Sequence, residues 1–144
     1  MALVREILQR KGQQVWTISP DITVLKAAQV MNERKIGATV VTEGGRIVGM
    51  FSERDVLRLV GEQRDPATTR VADVMSKEVV CCTAESTLDE ASAAMKNRRI
   101  RHLPVVDANG LLTGLVSIGD LNAFHQATQE QTIHMLTEYM HGRV

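Results

Sequence analysis

Two short stretches carry residue types that together could hold a sugar and a phosphate: Ser52-Glu53-Arg54-Asp55 and Ser117-Ile118-Gly119-Asp120. Each follows an apolar run containing a glycine, Gly49 or Gly114, and each opens a helical pattern. A serine with an acid three residues on is a capping box: the hydroxyl accepts a backbone N–H, and the carboxylate reaches back to the serine's own N–H. That structural role accounts for a single Ser-x-x-Asp. Its repetition adds a second reading. A helix N-terminus offers free N–H groups and a positive dipole end to phosphate, while a fixed carboxylate can accept both hydroxyls of a ribose diol. Basic residues stand near both motifs, Arg34, Lys35 and Arg54 in one case and Arg98, Arg99, Arg101 and His102 in the other. Arginine grips phosphate through a bidentate fork. Diol acceptor, anion seat and basic neighbours suit a nucleotide.

Other chemistries are poorly served. No Gly-x-Gly-x-x-Gly follows a strand pattern and no Gly-Lys-Ser/Thr occurs, so neither common phosphate cradle is present. Neither serine lies in a Gly-x-Ser-x-Gly context. The histidines, His102, His125, His134 and His141, are scattered; the last two read as a surface pair on one helix face rather than as a metal site, which needs three or four ligands. The adjacent thiols Cys81 and Cys82 point to opposite faces of a strand and read as reduced, buried, small apolar residues. Trp16 reads as core packing at a strand edge before it reads as a base-stacking surface. "KNRRIRH" is basic but lacks the interleaved aromatics of a nucleic-acid groove.

The elements that must position the two motifs are themselves repeated. At an offset of 64, Thr23 meets Thr87, Ala27 meets Ala91, Met31 meets Met95, Ile36 meets Ile100 and Val41 meets Val105. One extra turn residue makes the offset 65, and Gly49, Ser52 and Asp55 then meet Gly114, Ser117 and Asp120. The segments before the copies also match, "VREIL" at 4–8 against "VADVM" at 71–75. The chain is a tandem duplication. Each copy reads strand, helix, strand, turn, strand, helix. Val24, Ala27, Ala28 and Met31, and again Leu88, Ala91 and Met95, recur at helical spacing. Glu43-Gly44-Gly45 and Asn109-Gly110 mark hairpins. Val56, Leu57 and Val60 read as a buried stripe. The expected division is a lead-in helix at 1–14, a first repeat at 15–60, linker and second lead-in at 61–78, a second repeat at 79–125 and a C-terminal helix at 126–144.

Composition limits the function classes. The chain has 144 residues, 44% hydrophobic and 24% charged, the balance of a soluble globular protein. Lys plus Arg equals Asp plus Glu at 17 each, which argues against a general nucleic-acid binder. No apolar run approaches the ~20 residues of a membrane span. The N-terminus "MALVREILQRKG" lacks the apolar core of a signal peptide, so a cytoplasmic location is expected.

The second copy, "RHLPVVD…G…GLVSIGDL", resembles the cystathionine-β-synthase (CBS) domain, and the chain from about 15 to 124 resembles a stand-alone bacterial tandem CBS pair. The first copy departs from the pattern, with Ile36-Gly37-Ala38-Thr39 in place of the Arg-His-Leu-Pro run. The resemblance implies an α/β fold: two β-α-β-β-α repeats packed through a pseudo-two-fold axis, with clefts that bind AMP, ATP, NAD(H) or S-adenosylmethionine. It implies no catalytic residues and no metal. Asp55 and Asp120 would take ribose hydroxyls, with Ser52 and Ser117 by the phosphate or ribose and Met50, Glu53, Val116, Ile118 and Gly119 beside them. Adenine would be framed by Thr17, Ile18, Ile36, Gly37 and Ala38, and by Cys82, Thr83, Ala84, Ile100, Arg101, His102, Leu103 and Pro104. Arg54, Arg99, Arg101 and His102 are phosphate candidates. A homodimer is expected, helped by Ile133, Leu136, Tyr139 and Met140 of the C-terminal helix, with an adenine nucleotide and an unidentified effector protein as partners. The competing readings are a structural or dimerising module with vestigial sites and, less favoured, a phosphate-transferring enzyme.

Overall fold

The computed structural model describes residues 1–12 and 14–127. The order is α1 (Val4–Lys11), β1 (Thr17–Ile18), α2 (Val24–Arg34), β2 (Ala38–Glu43), β3 (Arg46–Ser52) and α3 (Glu53–Gly61). After a 3-10 turn at Val71–Asp73 come α4 (Leu88–Arg98), β4 (His102–Val106) and β5 (Leu112–Ser117). The chain is helical again at 118–127, here α5. The repeated helices start and stop by the same chemistry. Thr23 Oγ1 accepts the Lys26 N–H at 3.1 Å, and Thr87 Oγ1 accepts that of Glu90 at 3.0 Å, capping orphan donors of the first turn. Both helices end in a left-handed residue, Lys35 at φ 56° and Arg99 at φ 55°. The β2–β3 hairpin turns through Gly44 and Gly45, both at positive φ.

β1 pairs parallel to β2, and β2 antiparallel to β3; β4 pairs antiparallel to β5. The second copy has no named counterpart of β1. A single parallel bridge, Cys82 to Val105, stands where Ile18 pairs with Val41. Pro104 explains the loss. Its carbonyl accepts the Cys82 N–H at 2.9 Å, but the N–H that would continue the ladder toward Val80 is missing. The first strand of the first copy is itself short, two residues at Thr17–Ile18.

The two cores are exchanged between copies. Val4, Ile7 and Leu8 of α1 pack with Leu88, Ala91, Met95, Leu103, Val105, Val116 and Leu121 of the second repeat. Val71 and Val74, just ahead of the second repeat, pack instead with Val24, Ala27, Met31, Val41, Phe51 and Leu59 of the first. Backbone bonds repeat the exchange: Val4 N–H to Ser86 O and Arg5 N–H to Ala84 O match Val71 N–H to Ile22 O and Ala72 N–H to Pro20 O. Each lead-in therefore crosses to the other repeat. Arg46 bridges to Leu111, its own equivalent at offset 65 (111 − 46), so the pseudo-two-fold axis passes between them.

The stripe reading of α3 is corrected: it holds only for Val56, which packs partly against the first core. The buried residues of the helix are Asp55 and Leu59, whereas Leu57 is 73% and Val60 59% exposed. The helix turns this way because the Asp55 carboxylate folds back onto Ser52, and Leu59, one turn later, follows it inward. Trp16 is corrected too: it is 43% exposed, with the Arg34 guanidinium 3.9 Å above its ring. Among the described residues no helix is long and apolar enough to cross a membrane. The C-terminal helix assignment beyond residue 127, including Ile133, Leu136, Tyr139, Met140, His134 and His141, lies outside the described residues.

Candidate functional site

Both Ser-x-x-Asp motifs cap helices. Ser117 N–H donates to Asp120 Oδ2 at 2.8 Å, and Ser117 Oγ accepts the Asp120 N–H at 3.0 Å, a complete reciprocal box. In the first copy Ser52 N–H donates to Asp55 Oδ2 at 2.8 Å, with Ser52 Oγ 3.4 Å from the same oxygen. The first helical N–H is also used in each copy: Glu53 donates to Gly37 O at 2.9 Å and Ile118 to Arg101 O at 2.8 Å. Those donors are not free for phosphate.

Each carboxylate has a cation, from a different source. Arg58 Nη2, one helical turn on, sits 3.0 Å from Asp55 Oδ1 and also donates to Val74 O at 2.9 Å. Lys11 Nζ, from α1, sits 2.7 Å from Asp120 Oδ2 and donates to Leu115 O at 2.9 Å. Burial pushes the Asp120 carboxyl up, but the Lys11 ammonium and the Ser117 donors outweigh it and hold the group below the usual value.

A cavity of about 580 Å³ opens beside Asp55, within the range of ligand pockets. Both repeats line it. Gly37, Ala38, Met50, Ser52, Glu53, Arg54, Asp55 and Arg58 come from the first, and Val79, Val80, Arg99, Ile100, Arg101, His102 and Pro104 from the second; Ser76 and Glu78 come from the crossing lead-in. Val79 and Val80 are free to line it because they lie outside any ladder. No ion pair among the described residues uses Arg54, Arg99 or Arg101. Desolvation holds His102 below the ordinary histidine value, with Arg101 and Lys11 pushing the same way against Asp120 and Glu53. At neutral pH it is an uncharged donor and acceptor rather than a cation.

The other sequence-predicted residues fall elsewhere. Ile18, Leu103 and Val116 are buried in the cores, and Ile36, Cys82 and Ile118 pack partly against them. Thr17 lines a separate space of about 280 Å³ with Val15, Thr42, Gly45, Leu112 and Thr113. Thr83, Ala84, Ser117, Gly119 and Asp120 do not line the larger cavity. Cys81 is exposed, contrary to its expected burial, while burial and the neighbouring Cys81 push the half-buried Cys82 thiol up to about 11. Neither is a ready nucleophile. Among the described residues no cluster of three or more His, Cys, Asp or Glu could hold a metal ion. Arg58, Glu78, Val79, Val80 and Lys11 were not foreseen. Arg58 was readable as an i,i+3 partner of Asp55; the others arrive by the crossing of the lead-ins, which no local pattern signals.

Comparison with known proteins agrees with the duplicated fold. The CBS domain profile matches residues 4–62 and 71–124. The CBS domain-containing protein YhcV of Bacillus subtilis is 39% identical over 132 residues, 91% of this chain and 92% of that protein. A putative signal-transduction protein with CBS domains from Burkholderia ambifaria superposes with a TM-score of 0.84 at 38% identity, covering 89% of this chain and 96% of that one. A Pyrobaculum aerophilum CBS domain protein complexed with AMP gives a TM-score of 0.74 at 27% identity, over 82% and 88% of the two chains. Two matched segments, two crossed lead-ins and one axis between equivalent residues make this chain a tandem member of the CBS domain family.

Proposed function

We propose that this chain is a non-catalytic, cytoplasmic regulatory module that binds an adenine nucleotide (AMP, ATP or NAD(H)) beside Asp55 and passes the signal to a partner protein. The observation that carries the reading is convergence in one cavity. A capped carboxylate, three arginines outside any described ion pair, and an apolar wall of Val79, Val80, Ile100 and Pro104 all border it. Asp55 would accept the ribose diol, Arg54, Arg99 and Arg101 the phosphates, and the apolar wall the adenine ring. The AMP bound by the Pyrobaculum aerophilum relative supports the ligand class. Thermal melting tests it. AMP, ATP or NAD(H) at 100 times its dissociation constant should add about 2.7 kcal/mol of stability, and GTP less. Flat curves with every adenine nucleotide at millimolar concentration would sink the proposal.

One observation favours the alternative of a structural module with vestigial sites. Asp55 and Asp120 are each satisfied by a cap and a cation without any ligand. The same melting series separates the two readings.

A further inference from the structure

The pseudo-two-fold axis makes the surroundings of Asp55 and Asp120 equivalent in sequence, yet the crossing lead-ins meet them differently. Beside Asp55 the lead-in passes as extended chain: Met50 and Ser76 exchange backbone bonds of 2.9 Å, and the chain continues through Glu78, Val79 and Val80 as cavity wall. Beside Asp120 the lead-in is a full helix. Leu8 presses on Gly114, and one turn later Lys11 reaches the carbonyl of Leu115, which stands at the position of Met50 (115 − 50 = 65), and Oδ2 of Asp120.

We propose that Lys11 is a built-in occupant of the Asp120 cleft, so that the Asp55 cleft is open to ligand while the Asp120 cleft opens only when the last turn of α1 lifts away. Both described side-chain and backbone bonds to the Asp120 carboxylate fall on Oδ2, one of them the ammonium's, so a diol that spans both carboxylate oxygens must displace Lys11. Arg58 likewise holds Oδ1 of Asp55, at 3.0 Å, but leaves the cavity beside it open. It springs from the same helix as Asp55, and the cavity persists with it in place as a lining residue. The lysine pair is 35% and 23% exposed, which makes it a reversible hold rather than a permanent one. On the same turn the Arg10 guanidinium lies 4.8 Å over the Phe124 ring of α5. Occupation of the second cleft would therefore be felt first in α1, at the start of the chain.

The stoichiometry arm of the test rests on the adenine-nucleotide reading; the labelling arm does not. The full chain is titrated calorimetrically with AMP, and its lysines are acylated under limiting reagent and located by mass spectrometry. The wild type should take one AMP per chain and Lys11→Met two, the second being lost again when Asp120→Asn is added. Lys11 should label several-fold more slowly than the exposed Lys26 and Lys77, and Asp120→Asn should abolish that protection. Equal stoichiometry in wild type and Lys11→Met, or a wild-type Lys11 that labels as fast as Lys26, overturns the proposal. If AMP, ATP and NAD(H) bind no variant, the ligand reading fails and the labelling result alone decides whether Lys11 closes the cleft.

Discussion

Asp55 and Asp120 are the same residue twice, and what distinguishes them is the cation each meets. Asp55→Asn keeps an oxygen for the Ser52 N–H and removes the charge a diol would use. Each charge-assisted hydrogen bond lost costs about 1.5–3 kcal/mol. Two such losses lower nucleotide affinity at least roughly 100-fold, since 1.4 kcal/mol is about tenfold. Calorimetric titration should show that fall on top of the stability lost with the Arg58 pair; unchanged affinity would reduce Asp55 to a helix cap. His102 gives a second prediction. Its depressed value means that the unfolded chain takes up a proton the folded chain refuses. Stability is then lost as pH falls through the ordinary histidine value of 6.5 toward the lower folded one. Melting temperature should drop as pH falls below the ordinary histidine value of 6.5, and His102→Gln should flatten that drop. A bound phosphate would oppose it, because the anion favours the imidazolium.

At the scale of elements, the glycine that precedes each Ser-x-x-Asp is where a crossing lead-in presses closest. A Cβ on Gly49 would lie 2.5 Å from Met75 Sδ and 2.9 Å from the Ser76 carbonyl; on Gly114 it would lie 2.9 Å from a Leu8 methyl. Gly49→Ala and Gly114→Ala should each cost about 1–3 kcal/mol by overpacking. Gly49→Ala should be the worse, because Ser76 is backbone held in a bridge. Pairing Gly114→Ala with Leu8→Ala should cost less than the sum of the two changes, measurable by denaturant melts. These glycines show what could be read in advance. The caps, hairpins and apolar stripes of α2 and α4 are local, and their chemistry is written within a few residues. The first strand of the second copy shrinks to a single bridge, which β-propensity does not foresee because it does not register the N–H that Pro104 lacks on the neighbouring strand. The face of α3 was misjudged because apolar residues were assumed to point inward, when the inward position belongs to a carboxylate. The cavity wall at Val79 and Val80 and the Lys11 contact depend on which repeat a lead-in crosses to, a choice that periodicity does not record.

Across the whole molecule, the exposed Leu57 and Val60 give α3 an apolar outer face, and a homodimer remains our expectation. Light scattering at micromolar concentration should return twice the chain mass, and Leu57→Glu with Val60→Glu should return the single mass if α3 forms the contact. A wild-type monomer would end that expectation. The crossed lead-ins carry a different consequence, for the inheritance of the chain. The surface loop through Gln63 and Arg64 is exposed and could be nicked there. The front piece would then own a helix that fits only the back piece, and the back piece a segment that fits only the front. Two such pieces expressed apart should stay largely unfolded and, when mixed, regain the circular dichroism of the intact protein. A half able to fold alone would have to borrow its missing segment from a twin. That is how a single-copy ancestor would have worked, as a pair of interlocked identical halves that gene duplication later tied into one thread.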